Sequence, residues 1–261
     1  FQNKWSEKRY AELKLLNVKN CENIKKEKRR TLALVMIVKN EEKGLERAIK
    51  SCSEFVDEIV IAVDNSSTDK TAEVAKKYAS TLKFYNWRDD FAWARNFAHE
   101  GVTTDWILFL DGHEYVKNVF GIEGMLNSPA DGLLCRVKLE GGAEIRNPRI
   151  YRNGCHFVGA VHEIQNCKSI AVYSDFVVAH DRVNGQADEA SLIRAVQRDE
   201  HTKRVLEKRF EEDYSDTRAS FHLGLYEQSR GKFKDAVKYY KKYLKYAHSA
   251  GDRWYVFFNI A

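Results

Sequence analysis

Leu32 to Val38 (LALVMIV) is a short run that is apolar throughout, and Glu58 to Val63 (EIVIAV) and Trp106 to Leu110 (WILFL) share its texture. Runs of this length without alternation predict strands buried on both faces, as in a sheet covered by helices. Between them the period changes. Leu45, Ala48, Ile49 and Cys52 fall at helical spacing, as do Thr71, Val74, Ala75 and Tyr78, and then Phe91, Ala94, Phe97 and Ala98. Leu82 to Trp87 supplies one more strand. The order β-α-β-α-β-α-β with short connections predicts an α/β fold with a mostly parallel sheet and helices on both faces. Ligands of such sheets bind at the carboxyl ends of the strands, so those ends are where chemistry is expected.

Beyond residue 131 the pattern loosens. Gly132 to Leu139 and Phe176 to Ala179 predict strands, with a loop-rich stretch between them that holds Gly141-Gly142 and Asn147-Pro148. From Ala187 onward the chain reads as helical. Leu223, Gly224, Gly231, Phe233, Ala236 and Tyr240 stand at the spacings of a tetratricopeptide repeat, and Trp254 to Ile260 reads as the opening of another. An ordinary helical hairpin is the alternative. Residues 4–29 predict a charged helix with a thin apolar stripe of Trp5, Leu13, Leu15 and Leu16. The expected organisation is a helical extension over 1–30, an α/β domain over 31–186 and a helical tetratricopeptide-like region over 187–261, cut inside a longer array.

Composition narrows the class. Hydrophobic residues make up 44% of the 261, with both charge signs well mixed, as in a soluble globular chain. No apolar run approaches the roughly 18–20 residues of a membrane span, and FQNKWSEKRY has no apolar signal core, so a cytoplasmic protein is expected. The five cysteines, Cys21, Cys52, Cys135, Cys155 and Cys167, include no Cys-x-x-Cys, which argues against a disulfide scaffold and a zinc knuckle. Cys155, His156, His162 and Cys167 remain an alternative zinc set. The net charge of +5 is partly local, in Lys25, Lys26, Lys28, Arg29 and Arg30. That cluster is either a solvated helix end or an attraction for nucleic acid or lipid.

Each strand end carries polar groups. Lys39, Asn40, Glu41 and Glu42 follow the first strand, and Asp64, Asn65, Ser66, Ser67, Thr68, Asp69 and Thr71 the second. Arg88, Asp89, Asp90, Arg95 and Asn96 follow the third, and Asp111, Gly112, His113 and Glu114 the fourth. A carboxylate such as Asp64 can accept from a base N–H and a ribose hydroxyl, and Arg95 can pair with a diphosphate. Asp111 and His113 are two apart and point the same way on an extended segment, where they could hold a divalent cation. Each has a structural reading too: Ser67 or Thr68 as a helix cap, Asp111-Gly112 as a turn, Arg95 as a surface ion pair.

"MIVKNEE", "EIVIAVDNSSTDKT", "DDFAWARN" and "WILFLDGHE", in this order, resemble family-2 glycosyltransferases with the GT-A fold. "FVGAVHEI" and "VVAHDR", followed by the repeat, resemble the branch that includes the peptide S-glycosyltransferase of sublancin-type bacteriocins. The resemblance implies that Val38, Asn40, Glu41, Asp64 and Ser67 lie around a uridine, with Asp90, Arg95, Asp111 and Gly112 on the diphosphate side. It implies a metal at the Asp-x-Asp motif, whose last Asp is here His113, completed by His180. A histidine there favours Mn²⁺ over Mg²⁺. Inversion needs a carboxylate base, and Glu163 stands where the resemblance puts it, with Asp181 and Glu114 as weaker candidates.

The expected function is thus an inverting transfer of sugar from a nucleotide-sugar donor, a UDP-sugar first, to a peptide or protein, a glycan or a modified nucleic acid. The helical tail would dock the acceptor or form a homodimer. The alternative is a catalytically degenerate module that binds nucleotide or partner proteins. A nucleotidyltransferase would need a glycine-rich loop after the first strand, where "VKNEEKG" is acidic.

Overall fold

The computed structural model describes residues 29–139, 142–180, 189–247 and 256. All but the last residue of the expected helix over 4–29, the boundary at 186/187, the candidate base Asp181 and most of the stretch from Trp254 to Ile260 lie outside them.

The first half follows the sequence pattern closely. Strands β1 (Leu32–Val38), β2 (Glu58–Asp64), β3 (Thr81–Tyr85) and β4 (Trp106–Phe109) alternate with helices α1 (Leu45–Lys50), α2 (Thr71–Tyr78) and α3 (Phe91–His99). All pairings among these four strands are parallel. The unbroken apolar run of β1 has a direct cause. Leu32, Leu34, Met36 and Val38 pack on one side with Leu45, Ala48, Ile49 and Ala75 of α1 and α2. Ala33, Val35 and Ile37 pack on the other with Ala92, Ala94 and Ala98 of α3. Both side-chain sets of the strand are therefore inside, which no alternating sequence would tolerate.

The second half departs from expectation. The chain adds β5 (Glu114–Asn118), α4 (Ile122–Leu126), β6 (Gly132–Lys138), β7 (Glu144–Arg152), β8 (Phe157–Val158), β9 (Ile164–Gln165) and β10 (Ile170–His180). The main sheet runs β3-β2-β1-β4-β7-β6-β10-β5, with β8 and β9 as a separate hairpin. β6 and β10 pair in parallel, while β7 runs antiparallel to both β4 and β6, and β5 antiparallel to β10, so a sheet still parallel in most of its pairings gains two antiparallel strands. The stretch expected to be loop-rich holds the nine-residue strand β7, the short β8–β9 hairpin and the first part of β10. Pro148 pairs with Leu134 just where the β6–β7 register shifts, an irregular position that tolerates a missing N–H donor.

Helices α5 (Glu189–Glu212), α6 (Thr217–Ser229) and α7 (Phe233–Tyr246) follow. Asp216 caps α6 by accepting from the backbone N–H groups of Arg218 and Ala219. A Cβ on Gly224 would sit 2.3 Å from Cε1 of Tyr240, so glycine is what lets α6 and α7 approach. The helices are anchored to the sheet domain. Val205, Leu206, Phe210, Ala219 and Leu223 share one apolar cluster with Ala160 and Val161, beside the β8–β9 hairpin. Among the described residues, no helix is long and apolar enough to cross a membrane.

Candidate active site

The strand ends separate into two parts. The first is the loop cluster after β1 and β2. Asn40 adopts a left-handed backbone (φ 53°), which asparagine tolerates better than most residues. Its Oδ1 accepts from the Thr68 N–H at 2.8 Å. Asp64 is buried, and its Oδ1 accepts from the Ser66 N–H and hydroxyl while Lys39 Nζ lies 3.7 Å from Oδ2. Glu41 donates its N–H to Thr71 Oγ1 at 2.7 Å. Ser67 does not cap α2, nor does Thr68: the cap position is Lys70, and no side chain caps there. Asp69 ties the loops instead, accepting from the Thr71 N–H and hydroxyl and from the Glu42 N–H. Burial works against its charge, but these donors outweigh that and lower its pKa. The hydroxyl of Ser67 is buried without a partner, and Val38 is buried at the end of β1.

The second part lies at the end of β4. Arg95, on α3, is buried with its guanidinium 3.7 Å over the Phe109 ring. Nε donates to Glu163 Oε1 at 2.6 Å, and Nη1 lies 3.4 Å from Asp111 Oδ1. One arginine thus joins two carboxylates that are 52 positions apart in sequence. Burial opposes the charge on Arg95, but Asp111 and Glu163 more than offset it and its pKa is raised. Burial likewise pushes Asp111 up, while Arg95, Arg149, His113 and His180 pull it below the usual carboxylate range. Although surrounded by charges, the Asp111 side chain is still 30% exposed, so solvent reaches it.

Glu114, a weaker base candidate, is wholly buried. It accepts from the Asp111 N–H at 3.0 Å and pairs with Arg149 of β7. It is an anchor for the Asp111 backbone, not a base open to a substrate. His180 Nε2 lies 2.5 Å from Glu114 Oε1 but without hydrogen-bond geometry. The His113 and His180 rings are 5.3 Å apart, edge to face. His113 Nδ1 lies 3.4 Å from Glu41 Oε1; burial lowers its pKa, but Glu41 and Asp111 outweigh this and the net shift is upward. Gly112 joins the two parts physically. A Cβ there would lie 2.6 Å from Cγ of Glu41, and one on Gly44 would lie 2.6 Å from the Gly112 carbonyl.

For a divalent cation, a carboxylate and two imidazoles suit Mn²⁺ better than Mg²⁺, but His180 Nε2 already lies against the buried Glu114 carboxylate. Among the described residues, moreover, no three His, Cys, Asp or Glu side chains are gathered as a ligand cluster. The same is true of the alternative zinc set. Cys155 and Cys167 meet, but His156 lies by His99 and His162 stacks on His222. Asp90 is drawn elsewhere as well: Oδ1 caps α3 through the Trp93 N–H, and Oδ2 pairs with Arg209 of α5.

Glu163 is held from two sides. Asn96, next to Arg95, grips β8: its amide donates to the Phe157 carbonyl and its Oδ1 accepts from the Phe157 N–H. From the helical region, Arg218 donates to the His162 carbonyl, and the His222 ring stacks on His162 at 4.2 Å. His162 itself has φ 50°. Burial lowers the pKa of both histidines, that of His222 to about 4. Sequence reasoning gives Asn96, Asp69, Arg149, Arg218 and His222 no role, since nothing in their spacing marks the groups they meet.

Residues 33–151 match the sequence model of glycosyl transferase family 2. The matched segment carries β1 to β4 and with them Asp64, Arg95 and Asp111. Over 83 residues the chain is 40% identical to a TPR repeat-containing protein of Synechococcus elongatus, covering 32% of this chain and 20% of that protein. Over 83 residues it is 34% identical to the SPbeta prophage-derived glycosyltransferase SunS of Bacillus subtilis, covering 31% of this chain and 19% of that protein. The matched segment thus spans about a fifth of these relatives' own length. Among solved structures, S. aureus TarS 1-349 in complex with UDP-GlcNAc aligns with TM-score 0.49 at 14% identity, covering 88% of each chain. At that distance nothing about its ligand carries over.

Proposed function

We propose that this chain transfers a sugar from a nucleotide-sugar donor, a UDP-sugar first, to an acceptor nucleophile with inversion. The observation that carries the proposal is Arg95, set between Asp111 and Glu163 at the end of β4 inside the family-2 segment. Glu163 is the base: its carboxylate takes the acceptor proton as the acceptor attacks the anomeric carbon. The nucleoside diphosphate leaves as an anion, and Arg95 is the cation placed to meet that charge. Asn40, Glu41, Asp64 and the free hydroxyl of Ser67 face the nucleoside. Asp111, His113 and His180 are the residues that would have to draw together to hold Mn²⁺, which would supply charge neutralisation for the diphosphate. The resemblance of "FVGAVHEI" and "VVAHDR" to sublancin-type peptide S-glycosyltransferases favours a peptide acceptor, docked along a tetratricopeptide-like tail.

The test is the shift in unfolding temperature with UDP, other nucleoside diphosphates and UDP-sugars, with and without Mn²⁺. A ligand at a hundred times its dissociation constant adds about 2.7 kcal/mol of stability. A UDP-specific shift that grows with Mn²⁺ is the expected result. No shift with any nucleotide overturns the proposal and leaves a repeat-bearing binding module as the better account.

A further inference from the structure

Cys155 and Cys167 stand at the two ends of the hairpin that presents Glu163. The hairpin register pairs Phe157 with Gln165 and Val158 with Ile164. Continued outward, that register sets His156 opposite Asn166, and these two are joined by a bond from the Asn166 N–H to the His156 carbonyl at 2.9 Å. The next opposed pair is Cys155 and Cys167. Their sulfurs lie 3.0 Å apart, and both face the Asp131 carbonyl, at 3.8 and 3.6 Å. Gly132 leaves them room: a Cβ on it would lie 3.0 Å from Cys167 Sγ. Directly opposed residues of an antiparallel pair have the Cα and Cβ separations a disulfide accepts, so bridging needs only a small adjustment. The other described cysteines, Cys52 and Cys135, are each buried within the large core cluster.

We infer that Cys155 and Cys167 form a dithiol that a small disulfide oxidises to a Cys155–Cys167 bridge, closing the hairpin at its base. Cys167, the partly exposed member, reacts first. Its thiolate attacks one sulfur of the small disulfide, giving a mixed disulfide and releasing one small thiol, which carries off the Cys167 proton. Cys155 then attacks the Cys167 sulfur, forming the bridge and releasing the second small thiol with the Cys155 proton. Two electrons pass from the protein to the small disulfide, and a small thiol in excess reverses both steps. Burial raises the pKa of both thiols, so the first step is slow at neutral pH and accelerates as pH rises.

The chain is equilibrated with oxidised glutathione, the free thiols are alkylated without unfolding and after unfolding, and the peptides are mapped by mass. The expected result is loss of alkylation at both Cys155 and Cys167 after unfolding, with a cross-linked peptide containing both and full recovery on adding dithiothreitol. Cys155→Ser should instead trap a glutathione mixed disulfide on Cys167, and Cys167→Ser should leave Cys155 as a free thiol. The inference is overturned if both thiols stay alkylatable, if wild type accumulates the mixed disulfide without closing, or if either cysteine is found joined to any other. None of these readouts depends on transferase activity.

Discussion

The loops after β1 and β2 and the groups at the end of β4 are made of the same residue types, yet they are wired differently. In the first region the carboxylates and amides accept from backbone N–H groups and hydroxyls: Asn40 from Thr68, Asp64 from Ser66, Asp69 from Thr71 and Glu42. In the second, charge faces charge: Arg95 against Asp111 and Glu163, and Glu114 against Arg149. Neutral donors fix a loop and are satisfied once it has formed. Ion pairs around a cleft stay available to a charged ligand, because exchanging one partner for another preserves the balance of charge. A polar cluster in sequence is thus read as scaffold or as chemistry only when its partners are known.

The sharpest way to break that contrast is at Arg95. Arg95→Ala leaves two carboxylates without their shared cation and should cost about 3–5 kcal/mol in urea unfolding, together with most of the turnover. Glu163→Gln keeps the shape of the side chain and should lower turnover by about 10²–10⁴-fold with donor affinity unchanged, measured as UDP release and UDP-sugar binding. Full turnover in the Glu163→Gln protein would remove the base from the cleft. Next comes the contact between the two regions. Gly112→Ala drives a methyl into Glu41 and should cost about 3 kcal/mol, with weaker donor binding, read by denaturation and titration.

On the scaffold side, Asp69→Ala strands the Glu42 and Thr71 N–H groups and should cost about 2 kcal/mol in unfolding, while turnover at saturating donor stays near wild type. A loss of turnover as large as that of Glu163→Gln would erase the distinction between the regions. A separate effect concerns pH. His222 binds its proton less readily in the folded chain, at about 4 against an ordinary 6.5, and His162 shifts the same way. Between those values the unfolded chain carries more protons, so stability present above pH 6.5 is lost as pH falls toward 4. His222→Gln should flatten that part of the stability–pH curve, followed by unfolding midpoints across the range.

The strands legible in the sequence are those buried on both faces. LALVMIV and WILFL admit few other placements, and α3 showed itself through Phe91, Ala94, Phe97 and Ala98. β7 escaped notice because EIRNPRIYR is exposed or half-buried for its first five residues and carries a proline, the usual marks of a loop. β5 was masked by the turn signal of Asp111-Gly112 just before it. For the candidate site, the strand ends were found by their position after apolar runs. The partners were not, since Glu163 meets Arg95 across 68 positions of sequence and Arg149 meets Glu114 across 35. No local period encodes such a meeting, and only the resemblance pointed to Glu163.

The place of β5 at the end of the sheet has a consequence for the order in which the protein is made. Its pairing partner is β10, which ends at His180, so Glu114 emerges from the ribosome well before the strand that covers it. At synthesis rates of about 5–20 residues per second, that interval is on the order of 3 to 12 seconds. During it the four parallel strands β1 to β4 are already made, while the segment that anchors Asp111 waits for the chain beyond it. A nascent fragment ending before His180 would hold the loops after β1 and β2 with the groups at the end of β4 still unanchored.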